Sequence, residues 1–185
     1  MSIGILGLQG GVREHAQTLI QCGAEVRVIK SPGDTSNLDG LILPGGESTT
    51  ITKLVRLAGL EEPLQRLIKR GLPVWGTCAG AIMLCLGGIF AYLETEIVRN
   101  AYGPQLRSTL ARGKFMDRTI PMVFIRAPRI IRAGLDAAVL GRLDDEIVAL
   151  RKAHLLVTTF HPELSQDLTV TRYFLDMARE GARRF

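Results

Sequence analysis

Residues 72–86, LPVWGTCAGAIMLCL, are the stretch that decides the fold class. The first part, LPVWG, is a short apolar run typical of a buried strand, and the last part, AIMLCL, is typical of a buried helix. A strand that passes directly into a helix is a unit of parallel sheets covered by helices. The stretch therefore predicts a sharp strand-to-helix turn with Cys78 at its centre.

The same alternation of apolar runs and helical spacing extends from this stretch back to the N-terminus. Strand-like runs are SIGILGL (2–8), AEVRVIK (24–30) and GLILPGG (40–46), and helix-like segments are VREHAQTLIQCG (12–23), TTITKLVRLAGL (49–60) and EEPLQRLIKRG (61–71). Runs such as IGIL and GLIL are apolar without strict alternation, as expected for strands buried on both faces. The first half thus predicts a parallel sheet with helices on both faces.

The second half of the chain is richer in strands. Closely spaced strand-like segments are TEIVRN (95–100), MVFIRAP (122–128), AAVLGRL (137–143), EIVALRK (146–152) and HLLVTTFH (154–161). A closing amphipathic helix is predicted over 169–184, with Val170, Tyr173, Phe174 and Met177 near one face. No repeat or linker interrupts the chain. We therefore expect one domain over residues 1–185, an α/β fold of three layers with a mostly parallel, flavodoxin-like sheet and an antiparallel extension.

Composition and charge indicate an ordinary globular protein and argue against nucleic-acid binding. The 185 residues are 46% hydrophobic, 22% charged and 5% aromatic, which is ordinary for a globular protein. The net charge of +5 at pH 7 comes from scattered residues rather than a basic stripe with interleaved aromatics, so we expect no nucleic-acid binding. The excess positive charge favours either solubility or an acidic partner surface.

The cysteine count and the N-terminus predict a cytoplasmic protein. Three cysteines are an odd number, and MSIGILGLQGG lacks the features of a signal peptide. Residues 72–93 carry no formal charge, but Pro73 and four glycines interrupt them. Because a membrane helix needs about 20 uninterrupted apolar residues, we expect no membrane association.

The turn at residues 76–80 carries the strongest chemical signal. Ligands of open α/β sheets bind beyond the carboxyl ends of the strands, so the loops after the first, third and fourth predicted strands should converge. Gly76-Thr77-Cys78-Ala79-Gly80 has the spacing G-x-C-x-G, the cysteine counterpart of a nucleophile elbow. The start of a helix also favours a thiolate. The alternative is a buried structural cysteine, which is our interpretation of Cys22 and Cys85.

A thiol nucleophile needs a general base, and the chain has three histidines. His15 has charged neighbours and is predicted at the surface, and His154 is predicted in a solvated hairpin turn. His161 follows an apolar strand and precedes a proline, which favours extended backbone. Residues two apart then share a face, so Glu163 would orient His161 toward Cys78. A loop histidine beside a surface glutamate remains the alternative.

The segment PGGESTT (44–50) predicts an oxyanion-binding loop. Backbone N–H groups of Gly45 and Gly46, together with that of Ala79, are candidates to stabilise a tetrahedral oxyanion. The segment lacks the Lys-Ser/Thr ending of a phosphate-binding loop, and residues 4–10 have GxxGxxG rather than dinucleotide-binding spacing. The cysteines and histidines lack metal-ligand spacing, so we expect neither a metal nor a cofactor.

Three motifs in chain order, PGGEST, GTCAG and FHPE, resemble those of class I, triad-type glutamine amidotransferases. With GLQGxVREH, VRNAYG, VFIRAP and TTFHPEL, the chain resembles more narrowly the glutaminase subunits of pyridoxal 5′-phosphate synthase. The resemblance implies hydrolysis of L-glutamine by Cys78, His161 and Glu163 as a triad. It also implies ammonia transfer to a synthase (lyase) subunit.

The resemblance also implies a set of substrate-binding residues. These are Gly46, Glu47, Ser48, Arg99, Ile125 and Arg126. The chain departs from the family pattern at Pro104, where arginine is usual, and in a shortened segment before Arg99. Two alternatives remain. One is a cysteine hydrolase of the DJ-1/PfpI type, whose peptidase members commonly place histidine directly after the elbow cysteine, where Ala79 stands here. The other is a non-catalytic regulatory module of the same fold, against which the intact Cys-His-Glu set argues.

Overall fold

The computed structural model describes residues 1–99 and 108–182. The strands are β1 (Ser2–Leu6), β2 (Glu25–Ile29), β3 (Gly40–Leu43), β4 (Val74–Thr77), β5 (Glu96–Val98), β6 (Ser108–Phe115), β7 (Arg118–Ile125), β8 (Arg129–Arg132), β9 (Ala138–Leu143), β10 (Glu146–Lys152) and β11 (Leu155–Thr158). The α-helices are α1 (Val12–Gln21), α2 (Ser48–Leu57), α3 (Glu61–Lys69), α4 (Ala79–Leu84) and α5 (Thr169–Ala182). Short 3₁₀ turns cover Pro32–Thr35 and Pro162–Leu164.

A central sheet has the strand order β2-β1-β3-β4-β11-β10-β9-β6-β7. Its first five strands pair in parallel, with β4 between β3 and β11. The remaining pairs from β11 to β7 are antiparallel. The predicted α/β fold, with a parallel sheet and an antiparallel extension, is confirmed. A separate two-stranded sheet joins β5 to β8.

The central strands are buried on both faces, which explains their apolar sequences. In β3, Leu41 and Leu43 pack toward α2, α3 and α4, whereas Ile42 packs on the opposite face toward α1 and α5. In β4, Val74 and Trp75 divide in the same way. Each fully buried aliphatic side chain contributes about 1.5–3 kcal/mol by leaving water. The helices on both faces of the sheet therefore pack against β3 and β4, two strands that end at the same edge of the sheet.

The closing helix α5 begins at the predicted residue. Val170, Phe174 and Met177 are buried against the sheet, and Tyr173 is half-buried with its ring edge-on to Phe115. The helix is described as far as Ala182, and residues 183–184 of the prediction lie outside the described residues.

The uncharged stretch 72–93 forms β4, α4 and the loop that follows them. Among the helices that the structure describes, none is long and apolar enough to cross a membrane.

Candidate active site

The turn between β4 and α4 has a strained backbone at its central residue. Cys78 has φ 47° and ψ −99°, in a region that L-residues rarely adopt. A Cβ on Gly76 would lie 2.5 Å from the carbonyl carbon of Gly80, and a Cβ on Gly80 would lie 1.9 Å from the Leu43 carbonyl oxygen. Only glycine fits at both positions. The sharp turn that G-x-C-x-G predicts is therefore observed, and close backbone approach is the physical reason for its glycines.

The backbone on both sides of Cys78 is held by hydrogen bonds. Its N–H donates to the carbonyl of Thr158 at 2.8 Å, which ties the turn to the end of β11. Its carbonyl accepts from Ile82 in α4 at 3.2 Å. The thiol Sγ lies 4.0 Å from the carbonyl oxygen of Ile125, at the end of β7. Three elements thus fix the sulfur at the carboxyl edge of the sheet.

His161 and Glu163 face each other across the start of a 3₁₀ turn. His161 lies just beyond β11, and its N–H donates to the Val123 carbonyl of β7 at 2.8 Å. Its ring Nδ1 lies 2.7 Å from Glu163 Oε1, and both side chains are buried. The predicted sharing of one face by these residues is observed. Their pairing leaves the second ring nitrogen of His161 available to interact with Cys78, which lines the same cavity.

The electrostatics of this cluster favour a charged histidine. Burial alone lowers the pKa of His161, but the hydrogen bonds and charges of Cys78 and Glu163 outweigh it and raise the pKa to about 10. Burial raises the pKa of Glu163, yet the neighbouring His15 and His161 outweigh it and lower that pKa below its ordinary value. At neutral pH the pair is therefore an imidazolium and a carboxylate. Such an imidazolium can stabilise a thiolate and deliver a proton.

A cavity of about 470 Å³ opens beside Cys78 and His161. The loops after β1, β3 and β4 all reach it, as the sequence predicts. The predicted site residues that line it are Gly46, Glu47, Ser48, Cys78, Ala79, Arg99, Ile125, Arg126 and His161. Glu163 lies beside His161 rather than in the wall. The remainder of the Arg99 motif, residues 100–103, and Pro104 lie outside the described residues.

The loop after β3 is ordered by its own polar residues. Glu47 caps α2, its Oε1 accepting from the backbone N–H of Thr49 at 3.3 Å. Hydrogen bonds from Thr49, together with Arg99 and Arg126, lower the pKa of Glu47. Arg99 Nη2 donates to the Ser48 hydroxyl and lies 3.7 Å from Glu47 Oε1. The cavity wall thus presents one carboxylate, Glu47, together with the guanidinium groups of Arg99 and Arg126.

The two glycines of this loop are required by close packing. A Cβ on Gly45 would lie 2.3 Å from His161 Cε1 and 3.4 Å from the Cβ of Cys78. A Cβ on Gly46 would lie 2.4 Å from the side-chain oxygen of Gln9. The carbonyl of Gly45 accepts from the N–H of Gly11 at 3.0 Å, which anchors the loop to the start of α1. Bare backbone can therefore approach the sulfur and the imidazole, while oxyanion binding by Gly45, Gly46 and Ala79 stays a prediction.

The surface prediction for His15 is wrong. His15 is fully buried, and its Nε2 lies 3.0 Å from Thr77 Oγ1 and 3.5 Å from Glu163 Oε2. It shares the inward face of α1 with Thr18 and Leu19, three and four positions later. The spacing of His15, Thr18 and Leu19 in the sequence indicates a shared buried face, but the charged neighbours Arg13 and Glu14 suggest an exposed one.

Two smaller predictions about individual side chains also need correction. His154 is half-buried rather than solvated, because its Nε2 hydrogen-bonds to the carbonyl of Ile68 at 2.9 Å. Cys22 is partly exposed at the end of α1 rather than buried. Cys85 is buried as predicted, and burial raises the pKa of its thiol to about 12.

Three further residues line the cavity without having been predicted: Gln9, Thr49 and Ile82. Gln9 is the most notable of them, since its side-chain oxygen accepts from the N–H of Glu47 at 2.9 Å. It lies in the loop after β1, and the only sequence feature that pointed to it was its position just beyond the carboxyl end of a parallel strand. Within residues 1–99 and 108–182, no group of three or more histidine, cysteine or carboxylate side chains is placed to hold a metal.

Known proteins resemble this chain over nearly its whole length. The SNO glutamine amidotransferase family matches residues 5–180. A protein of Dehalococcoides mccartyi called pyridoxal 5′-phosphate synthase subunit PdxT is 43% identical, over 97% of this chain and 98% of its own. The protein of the same name from Geobacillus kaustophilus is also 43% identical, over 98% and 96% of the two chains.

A solved structure agrees with these sequence matches. A crystal structure described as a glutamine amidotransferase superposes with a TM-score of 0.90, at 39% identity, over 96% of this chain and 98% of that one. Sequence, fold and the cysteine elbow lead to one assignment: the chain belongs to the SNO glutamine amidotransferase family.

Proposed function

We propose that this chain is the glutaminase subunit of a pyridoxal 5′-phosphate synthase, which hydrolyses L-glutamine to L-glutamate and ammonia. Family membership and the names of its relatives support the activity. The observation that carries the proposal is the strained Cys78 in the wall of a cavity, beside a His161–Glu163 pair joined at 2.7 Å. A nucleophile, a base and an orienting carboxylate are the parts that acyl transfer requires.

The first half of the reaction forms an acyl-enzyme. The Cys78 thiolate attacks the side-chain amide carbon of glutamine, and a C–S bond forms as the carbonyl oxygen becomes an oxyanion. Backbone N–H groups of Gly45, Gly46 and Ala79 receive that oxyanion. His161 gives its proton to the amide nitrogen, the C–N bond breaks, and ammonia leaves a γ-glutamyl thioester.

The second half releases glutamate. Neutral His161 takes a proton from a water molecule, and the resulting hydroxide attacks the thioester carbon. The C–S bond then breaks, the thiolate reforms with His161 again an imidazolium, and the new γ-carboxylic acid loses its proton to solvent as glutamate leaves. Glu163 keeps the ring in one orientation and stabilises its charge during both halves.

The cavity wall supplies groups for the α-amino acid end of the substrate. A free amino acid brings a carboxylate that needs cationic donors and an ammonium that needs acceptors. We assign the carboxylate to Arg99 and Arg126, and the ammonium to Glu47, whose pKa is lowered by the hydrogen bonds of Thr49 and by both arginines. Gly46, Ser48 and Ile125 shape the same wall. These roles account for the presence of opposite charges in one cavity wall.

The proposed partner is the synthase (lyase) subunit, which would receive the ammonia and build the pyridoxal phosphate ring. We also propose a cytoplasmic location, in keeping with three cysteines that are free thiols. Neither nucleic acid nor membrane has a part in this function.

The direct test is a glutaminase assay of the purified chain mixed with a synthase subunit from the same source. We expect glutamate release from glutamine, and loss of that release in a Cys78→Ala variant that still folds and binds the synthase. If neither the mixture nor the free chain releases glutamate, the proposal is contradicted. That result would favour the non-catalytic regulatory module. Hydrolysis of a peptide instead of glutamine would favour a cysteine hydrolase of the DJ-1/PfpI type.

A further inference from the structure

The carboxylate of Glu163 has one partnered oxygen and one without a hydrogen bond. Oε1 lies 2.7 Å from His161 Nδ1, whereas Oε2 is buried and has no hydrogen-bond partner among the residues that the structure describes. The polar atom beside Oε2 is Nε2 of His15, at 3.5 Å. Because an unpaired buried carboxylate oxygen costs free energy, the position of the His15 ring beside Oε2 stabilises the folded protein.

His15 is built into the structure from three sides. It lies on the first turn of α1, which begins directly over Glu163, since a Cβ on Gly11 would lie 3.3 Å from Glu163 Oε1. Its Nε2 lies 3.0 Å from the hydroxyl of Thr77, the residue before the elbow cysteine. Its ring packs edge-on against Trp75, with the centroids 5.2 Å apart. The imidazole therefore has little freedom to turn away from Glu163.

The surroundings select one protonation state for His15. Burial is the largest influence and lowers the pKa of His15, which makes the ring neutral at pH 7. A neutral ring with its proton on Nε2 donates to Thr77 Oγ1 at 3.0 Å, and the same N–H lies 3.5 Å from Glu163 Oε2. The other tautomer would turn a lone pair toward the carboxylate oxygen and place the proton on Nδ1, which is buried and has no hydrogen-bond partner among the described residues. The Nε2–H form is thus the one that presents a proton, rather than a lone pair, to the buried carboxylate oxygen.

We infer that His15 is a positioning residue, which holds Glu163 by its second oxygen so that the carboxylate is fixed between two imidazoles. This inference rests on the proposed glutaminase function. His15 acts only through Glu163: it keeps the carboxylate ionised and aimed at His161, and so keeps the proton on His161. The network Thr77–His15–Glu163–His161–Cys78 links α1 to the elbow behind the cavity.

The inference predicts a particular change in pH dependence. Without the His15 donor, ionised Glu163 becomes less stable, so it supports the His161 imidazolium less and the His161 pKa falls. Because loss of the His161 proton ends activity on the alkaline side, the alkaline limb of the rate profile moves to lower pH. The other ionisable groups facing this cluster are Glu14 from α1, Cys78 from the elbow, and the cavity-wall residues Glu47, Arg99 and Arg126.

The kinetic test compares variants of the chain in complex with the synthase subunit. His15→Phe keeps the ring but removes the donor, and we expect kcat to fall by up to roughly 10²-fold with KM little changed. Its alkaline limb should move to lower pH. His15→Gln restores an N–H near the position of Nε2 and should recover both the rate and the limb.

The matched control is Thr18→Val, on the same helix. The Thr18 hydroxyl donates to the His15 carbonyl at 3.0 Å, so its loss weakens α1 without removing the donor to Glu163. We expect a lower Tm with an unmoved alkaline limb. A His15→Phe variant with the wild-type kcat and limb, or with only a lower Tm, overturns the inference. Wild-type complex that releases no glutamate would instead overturn the proposed function.

The protonation state of His15 can also be measured in the wild-type chain, so this test does not depend on the folding of a variant. With three histidines in the sequence, ¹⁵N–¹H NMR of the imidazoles can distinguish each ring. We expect His15 to be neutral at pH 7 with its proton on Nε2, in contrast to a charged His161. A His15 proton on Nδ1, or a charged His15, overturns the inference.

Discussion

Glu163 accepts a 2.7 Å hydrogen bond from His161 and has no direct place at the cavity wall. Its role in the proposed reaction is therefore to orient and stabilise the imidazolium rather than to carry a proton to substrate. In the proposed reaction His161, in contrast, transfers a proton in both halves. Removing the two side chains should have unequal effects.

We expect Glu163→Gln to lower kcat by at most on the order of 10⁴-fold, because an amide oxygen can still hold the ring, though without its charge. His161→Asn should cost more, on the order of 10⁶-fold. Steady-state glutamate release by the two variants and the wild type, each with the synthase subunit, measures the difference. Indistinguishable rates in all three proteins would show that the pair has no part in the site.

At the scale of the element, the turn from β4 to α4 depends on backbone contact that no side chain can replace. The missing Cβ of Gly80 allows α4 to approach the Leu43 carbonyl of β3, and 1.9 Å is far inside any tolerated contact. Gly80→Ala must therefore move the helix, the strand or both. The strained φ of Cys78 depends on this same packing.

Gly80→Ala is expected to destabilise the fold by about 1–3 kcal/mol or more, as overpacking does, and to abolish glutaminase activity. Gly33→Ala is the matched control, since a Cβ there meets only the Ser31 hydroxyl at 3.9 Å. It should change stability by about 0.5 kcal/mol or less. Urea unfolding and the glutaminase assay measure both variants. Wild-type activity in a folded Gly80→Ala protein would contradict our account of the elbow.

The elements that the sequence predicts well are those buried on both faces. IGIL in β1, GLIL in β3 and LLVT in β11 are continuous apolar runs, so their patterns are clear without tertiary information. The strand β6 was missed because it forms a hairpin with β7 and buries only some of its side chains: Phe115 is buried, while Leu110 is 71% exposed. The strand β8 was missed because, among the described strands, it pairs with the short β5 alone, and because it carries charge at both ends.

For the whole molecule, the convergence of loops on one edge could be predicted, but the network behind the site could not. Cys78 and His161 follow β4 and β11, and adjacent parallel strands necessarily end together. The contact between His15 and Thr77 joins residues 62 positions apart, on an element whose placement depends on the packing of α1. Local sequence shows charged neighbours around His15, and only the tertiary structure supplies the partners that allow it to be buried.

At this same scale, the proposed donor subunit should be activated by its synthase partner. Ammonia released to solvent is lost, so an oxyanion site completed only on docking would be an advantage. The Gly45-Gly46 pair, which lies against His161 and Gln9, is where a peptide unit could turn. Each missing oxyanion donor costs roughly 10²–10³-fold in rate.

We therefore expect glutamate release to rise by about 10²–10³-fold on addition of the synthase subunit. Rates at matched chain concentration, with and without the synthase, provide the measurement. Full activity in the isolated chain, unchanged by the partner, would refute activation while leaving the triad assignment intact.

The central claim is that Cys78 is the nucleophile of a glutamine-hydrolysing site. The most direct measurement is covalent labelling of the complex with a chloroketone analogue of glutamine, followed by peptide mapping. We predict one label per chain, on Cys78, with loss of activity in proportion to labelling and protection by glutamine. Activity lost with the label on Cys22 or Cys85 instead would contradict the claim.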